Sequence, residues 1–280
     1  MSSQADNPAT VAADDLGDRL RAYYTRYYRD TLGIPGWRDL VQVRLADAAY
    51  EAERLARLAR ALDRPVRGLR LLNLGCGTGG FNAAAEAAGA LAWGVDVDPD
   101  AVAIAGARVG GGRIVRAAAE SLPFRDGGFD VVYCVSTLEH VADAEQTLRE
   151  AVRVLGANGT LYLHTPSRWS CFESHYKVFW VPGLPRWLGR AYLAARGRPP
   201  AFLETLSLTT AGECRRVLAS AGMRTVRVLE GDVSRAVGGP LWPLVRLYYR
   251  LCRIRPSVEL VATRQGQALT SIQLPRAGRG

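Results

Sequence analysis

Lysine is almost missing from this 280-residue chain: of its 36 basic residues 35 are arginine, and Lys177 is the sole lysine. Such a skew follows from codon composition as readily as from function, so it singles out no partner. A net charge of +9 invites nucleic acid or an anionic membrane. No DNA- or RNA-binding motif accompanies it, and no nucleic-acid partner is expected. The three histidines are too few for a His-rich metal protein. The five cysteines (76, 134, 171, 214 and 252) contain no Cys-x-x-Cys pair and no even spacing. That argues against a disulfide framework or zinc cage and fits a reducing cytoplasm. Apolar runs such as 178–182 are broken by proline, glycine or charge well before the roughly 20 residues a spanning helix needs. The first 18 residues are small, polar and acidic, so neither a transmembrane helix nor a signal peptide is expected.

What is present is globular. Apolar residues make up 48% and charged residues 22%, enough to bury a sizeable core. Residues 1–18 read as a mobile tail. From Asp18 to Leu62 the spacing is helical, broken at Gly33-Ile34-Pro35-Gly36, and 19–66 is expected to form a helical lid. The texture then changes to short apolar runs alternating with helical stretches. Strands are expected at 69–74, 90–97, 113–116, 129–135 and 160–165, and again at 225–229 and 258–263. Helices are expected at 81–88, after Asp98-Pro99-Asp100, and at 142–155, 210–221 and 241–252. This alternation predicts an α/β fold: a Rossmann-like, seven-stranded, mostly parallel sheet with helices on both faces. The core would occupy 67–265, interrupted after the fifth strand by an aromatic, proline-rich insertion at 167–206, with a C-terminal tail at 266–280.

The first strand runs into Gly75-Cys76-Gly77-Thr78-Gly79-Gly80 and then a helix. Glycine is needed where the backbone turns with positive φ and a ligand must approach closely. Gly75, Gly77 and Gly80 satisfy the dinucleotide pattern, while Gly75, Gly77 and Gly79 satisfy the S-adenosylmethionine (SAM) pattern. Asp96, twenty-one residues after Gly75, is placed to bind a ribose in either case. An oxidoreductase with a Tyr-x-x-x-Lys pair is disfavoured, because the residue four before Lys177 is Glu173.

Four blocks in order, the glycine loop being the first, resolve the ambiguity: LNLGCGTG at 72–79, GVDVDP at 94–99, AESLPF with FDVVYCV at 119–135, and LEHV at 138–141 leading to RVLGANGTLYLHTP at 153–166. Together they resemble the class I SAM-dependent methyltransferases, in particular the small-molecule branch that includes quinone-biosynthesis enzymes. The resemblance implies that Gly75, Cys76 and Gly77 present backbone to the methionine part of SAM and that Asn73 and Gly79 belong to the same cofactor site. It further implies that Asp96 accepts from both ribose hydroxyls and that Val97 lies on the adenine face. Ala119 and Glu120 would sit at the adenine edge, and the Val135 carbonyl would face the methionine amino group. The chain departs from the pattern at Asn73, where the family usually has an acid, and at Ala118, where Asp is common.

Methyl transfer requires alignment of donor and nucleophile, and a hydroxyl acceptor also requires loss of a proton. His140 and His175 are the candidate bases; His164 shares a strand face with Tyr162 and reads as a sheet residue. Glu139-His140 with His175 also resembles methyltransferases that hold a divalent cation beside the acceptor oxygen. Those relatives carry an extra acid where this chain has Ser136, so no metal ligand set is assigned and a cation is left open. The substrate lids would be the insertion and the helix bearing Tyr23, Tyr24, Tyr27 and Tyr28. The Trp, Leu and Arg mixture at 179–190 suits contact with a membrane surface or a lipid-linked substrate. The expected reaction is O-methylation of a sugar, polyketide or lipid-like small molecule. N- or C-methylation, or SAM binding without catalysis, are the alternatives, and no oligomeric state is assigned.

Overall fold

Strand β1, Arg70–Leu74, is buried on both faces, as a strand is when helices cover it from each side. The computed structural model describes residues 8–110, 112–229 and 242–264. Before β1 come helix α1 (Pro8–Thr25), a π-helical turn (Arg26–Thr31), α2 (Trp37–Leu45) and α3 (Ala48–Leu62). The expected tail at 1–18 is therefore corrected: α1 already begins at Pro8. Proline is pre-organised for a first helical position, and Ala9, Ala12 and Ala13 are strong helix formers. Residues 1–7 of that tail, the expected C-terminal tail at 266–280, and position 241 of the last expected helix lie outside the described residues.

After β1 the chain runs α4 (Gly80–Ala87), β2 (Leu91–Asp96), α5 (Pro99–Val109), β3 (Ile114–Arg116), β4 (Phe129–Val135), α6 (Ala144–Val154) and β5 (Leu155–Pro166). The insertion contributes a hairpin, β6 (Phe172–Glu173) and β7 (Val178–Phe179), followed by α7 (Arg186–Ala195) and a 3-10 turn at Pro200–Thr205. Helix α8 (Ala211–Ser220), β8 (Thr225–Val228), α9 (Trp242–Leu251) and β9 (Ser257–Thr263) complete the described fold.

The seven-stranded sheet has the order β3-β2-β1-β4-β5-β9-β8. Six strands run in the same direction, and β9 alone in this sheet lies antiparallel to its neighbours β5 and β8. Alternation within β1 and β4 serves two cores. Leu72, Leu74, Val132 and Cys134 pack with Leu148 and Val152 of α6 and Leu218 of α8. Leu71, Val131 and Tyr133 pack with Leu58 of α3 and Phe81 and Ala85 of α4. Thus α3, placed in the lid by its sequence position, covers a face of the sheet. The hairpin in the insertion, only two residues per strand, left no readable period in the sequence. Asp98 and Asp143 cap α5 and α6 with their carboxylates, and Thr210 with Glu213 forms a reciprocal cap on α8.

Chain order reverses between β1 and β4, which opens a crevice beyond their carboxyl ends. The roof over that crevice is shared. Tyr28, Leu32, Ile34 and Val41 from the N-terminal segment form one apolar cluster with Tyr176, Val178, Trp180, Leu193 and Leu203 of the insertion. Polar ties reinforce it: Arg198 donates to the Gly33 carbonyl at 2.7 Å and Tyr176 to the Pro199 carbonyl at 2.8 Å. A Cβ on Gly33, whose φ is 60°, would stand 2.5 Å from Pro199 Cδ. Gly33→Ala is expected to cost about 1–3 kcal/mol from the clash alone, read as a lower midpoint in urea. An unchanged midpoint would show that the two lids do not meet there.

Candidate active site

A cavity of about 1110 Å³ occupies the crevice, and the residues lining it come from the strand ends, the N-terminal segment and the insertion. At one end lies the glycine loop. Its three glycines have positive φ of 66°, 54° and 79° at Gly75, Gly77 and Gly79, yet they serve different ends. A side chain on Gly75 would collide with Thr137, and one on Gly79 with the backbone of Ala105 in α5. Gly77 has nothing within 4 Å of where a Cβ would stand; there the loop presents bare backbone to the cavity. Cys76 is buried, with its amide donating to the Val95 carbonyl at 2.9 Å and its side chain against Gly94. Burial, with Asp96 adding to it, pushes the Cys76 thiol up to about 12, so it packs as a thiol rather than reacting.

Asp96 ends β2. Its two oxygens accept from the amides of Gly77 at 2.8 Å and Asp98 at 3.0 Å. These bonds fix the carboxylate in the cavity wall and leave lone pairs for ligand hydroxyls. Val97 beside it is 59% exposed although apolar, the state of a surface waiting for a flat apolar partner. Ala119 and Glu120 line the same end. The Glu120 carboxylate, however, accepts from the Ala142 amide at 2.8 Å; it ties down the loop before α6. Asn73 donates to Asn82 Oδ1 at 2.7 Å, a neutral buried pair where an acid would have been charged. Val135 closes β4, and its carbonyl accepts a 3.3 Å bond from Thr137 Oγ1. The N-terminal segment is fastened to this end by Tyr24 with Thr78 at 2.8 Å and by Tyr23 donating to Asp98 at 3.1 Å.

The other end holds a cluster of titratable groups. The hairpin turn places His175 so that its Nδ1 meets Glu173 Oε1 at 2.7 Å, while Glu173 Oε2 accepts from the Tyr176 amide. A carboxylate on Nδ1 sets the tautomer and leaves Nε2 as the acceptor. His140, on the loop after β4, lies edge-on to His175 with centroids 5.0 Å apart. Burial, with His175 beside it, lowers His140 to about 4, so it is neutral at physiological pH. Glu139 is fully buried: Oε2 accepts from Thr165 at 2.8 Å, and Oε1 has no hydrogen-bond partner and lies 4.0 Å from His175 Nε2. Desolvation holds the Glu139 carboxyl above its ordinary range. One ligand atom from each of Glu139, His140 and His175 falls within 4.8 Å of the others. His164, read as a sheet residue, is in β5 and also reaches the cavity wall.

Comparison with known proteins bears on the cofactor half of this arrangement. Residues 72–163 match the family described as a methyltransferase domain. Over those residues the chain is similar to a methyltransferase domain. Over 140 residues it is 34% identical to a ubiquinone biosynthesis O-methyltransferase of Azorhizobium caulinodans, covering 46% of this chain and 55% of that protein. It is 33% identical over 170 residues to an uncharacterized methyltransferase of Mycobacterium tuberculosis, covering 54% and 65%. The chain thus spans between half and two thirds of these relatives. An S-adenosylmethionine-dependent methyltransferase from Mesorhizobium loti shares the fold at 21% identity, with a TM-score of 0.50, 74% of this chain and 95% of that one covered.

Measured against the methyltransferase domain, every cofactor residue read from the sequence (Asn73, Gly75, Cys76, Gly77, Asp96, Val97, Ala119, Glu120 and Val135) lines the cavity except Gly79, which packs on α5. His140 and His175 are brought together although 35 positions apart in the chain. The sequence reading passed over Glu173, whose role depends on a hairpin too short to show a period. It passed over Arg44 of α2 too, which lines the same cavity, because a helical arginine carries no local sign that it turns inward.

Proposed function

We propose that the chain transfers the methyl group of SAM to a hydroxyl oxygen of a small molecule. The observation that carries this reading is the Glu173–His175 pair, a histidine oriented by a buried carboxylate in the wall of the cavity. Bound SAM supplies a methyl already activated on a sulfonium, so the chain's contribution is alignment and proton removal. Asp96 and the Gly77 backbone hold the nucleoside and amino-acid ends. His175 Nε2 takes the hydroxyl proton as the oxygen attacks, and Glu173 stabilises the imidazolium. The shared roof keeps water from competing. Amines attack in their neutral form without such a base, and this favours oxygen as the acceptor. Incubation with tritiated-methyl SAM and candidate phenols, sugars and amines tests the reading. Label in an ether supports it; label only in amines or carbon would replace it.

A second arrangement is favoured by the unpartnered Glu139 Oε1. Glu139, His140 and His175 fit a divalent cation: a buried carboxylate, a neutral imidazole, and an imidazole whose Nδ1 is held by Glu173 in the way ligating histidines are. Three protein ligands would leave positions open for an acceptor oxygen.

We further propose contact with a lipid surface. Trp187 on α7 is 69% exposed and Leu188 is 37% exposed, and among the described residues no helix is long and apolar enough to cross a membrane. Sedimentation with anionic vesicles should carry the protein down, and Trp187→Ala should release it. Equal sedimentation of the variant would contradict this. All five cysteines are free, which supports a cytoplasmic setting.

A further inference from the structure

We infer that the methyl acceptor carries an oxyanion, a carboxylate or a phosphate, that docks between Arg44 and Lys177. This rests on the methyltransferase reading above only for the reaction at the other end of the acceptor. Arg44 of α2 and Lys177 of the hairpin turn line the same cavity and feel each other's charge. Arg44 is held in place: Nε donates to Tyr28 Oη at 2.9 Å, and its guanidinium lies 5.8 and 5.4 Å from the ring centres of Tyr24 and Tyr50. That uses one of five N–H donors and neutralises nothing.

Among the described residues neither cation forms an ion pair, whereas the acids nearby are engaged. Glu51 accepts from Arg54 with both oxygens, and Glu173 binds His175 and the Tyr176 amide. The charges of Glu51 and Glu173 reach Arg44 and Lys177, but both carboxylates are bonded elsewhere. The two cations face one cavity partly desolvated and without a bonded counter-ion, and an anion bound between them offsets both their repulsion and their desolvation. Lys177 also sits at φ 56°, a region a lysine seldom adopts. The pairs Phe172 with Phe179 and Glu173 with Val178 hold it there. Strain of this kind gathers at sites that present a side chain to a ligand.

The geometry also describes the rest of the acceptor. Ring contacts of 5.1, 5.9 and 5.5 Å run from Tyr28 to Tyr27, to Phe202 and on to His175. An apolar or aromatic body lying along them would place a hydroxyl at the histidines with its oxyanion at Arg44 and Lys177.

The single lysine makes the test selective. Protein made with 13Cε-lysine gives one lysine signal, which is followed while benzoate, phenyl phosphate or neutral benzamide is added, with and without S-adenosylhomocysteine. The signal should move saturably with benzoate or phenyl phosphate, the more effective one naming the oxyanion, and stay still with benzamide. By calorimetry Lys177→Gln should weaken that binding at least tenfold and Lys177→Arg should restore most of it. A silent signal, or equal affinity in Lys177→Gln, overturns the inference. Failure of S-adenosylhomocysteine to bind the native chain would instead overturn the methyltransferase reading, and the lysine titration would still report on the anion.

Discussion

His175→Ala should lower the rate of methyl transfer by about two to four orders of magnitude, the usual contribution of a positioned base, while leaving affinity for S-adenosylhomocysteine near native. The separation follows from placement. His175 lies with His140 and Glu139 and takes no part in the hydrogen bonds that fix Asp96 to the glycine loop. Glu173→Gln should also lower the rate, because an amide can donate to Nδ1 and so favour the tautomer whose Nε2 carries the hydrogen and cannot take the proton. If the histidine acts as a base, chelation leaves the native rate unchanged. If the trio holds a cation, EDTA abolishes turnover, magnesium or manganese restores it, and Glu139→Gln is as damaging as His175→Ala. Near-native rates in His140→Ala and His175→Ala together with indifference to EDTA would show that alignment alone drives the reaction.

Removal of residues 1–31 should abolish turnover, whereas removal of 1–7 should not. The longer deletion takes away Tyr24, bonded to Thr78 of the glycine loop, Tyr23, bonded to Asp98, and Tyr28, part of the apolar roof. It opens the cavity to water from above and frees Arg44 from Tyr28. The sheet cores contain none of these residues, so the truncated protein should still fold, seen as a retained cooperative transition. Full turnover after the longer deletion would show that the tyrosines pack without closing the site.

The sheet and the cofactor end were legible in the sequence because their signals are local. A strand, a glycine turn, a helix and an acid ending the next strand follow one another along the chain, and each has a steric or capping reason that a short window reveals. Even there, spacing could not assign Gly79: it matched the loop pattern but is glycine because Ala105 comes close. Glu120 likewise stood at the expected position, though its carboxylate caps the approach to α6. The proposed acceptor end was legible only in its histidines. Arg44, Glu173 and Lys177 owe their importance to a hairpin and a helix that meet over the crevice, and this meeting depends on an apolar cluster drawn from residues more than a hundred positions apart. No window of sequence contains it.

The most direct test of the central claim, that the cavity binds SAM through Asp96, is a calorimetric titration of S-adenosylhomocysteine into the native protein and into Asp96→Ala. The native chain should bind one equivalent. The variant should lose about 1.5–3 kcal/mol, roughly ten- to hundredfold, the range for hydrogen bonds to a charged group, while keeping its unfolding transition. Unchanged affinity in the folded variant, or no binding to the native chain, would contradict the account.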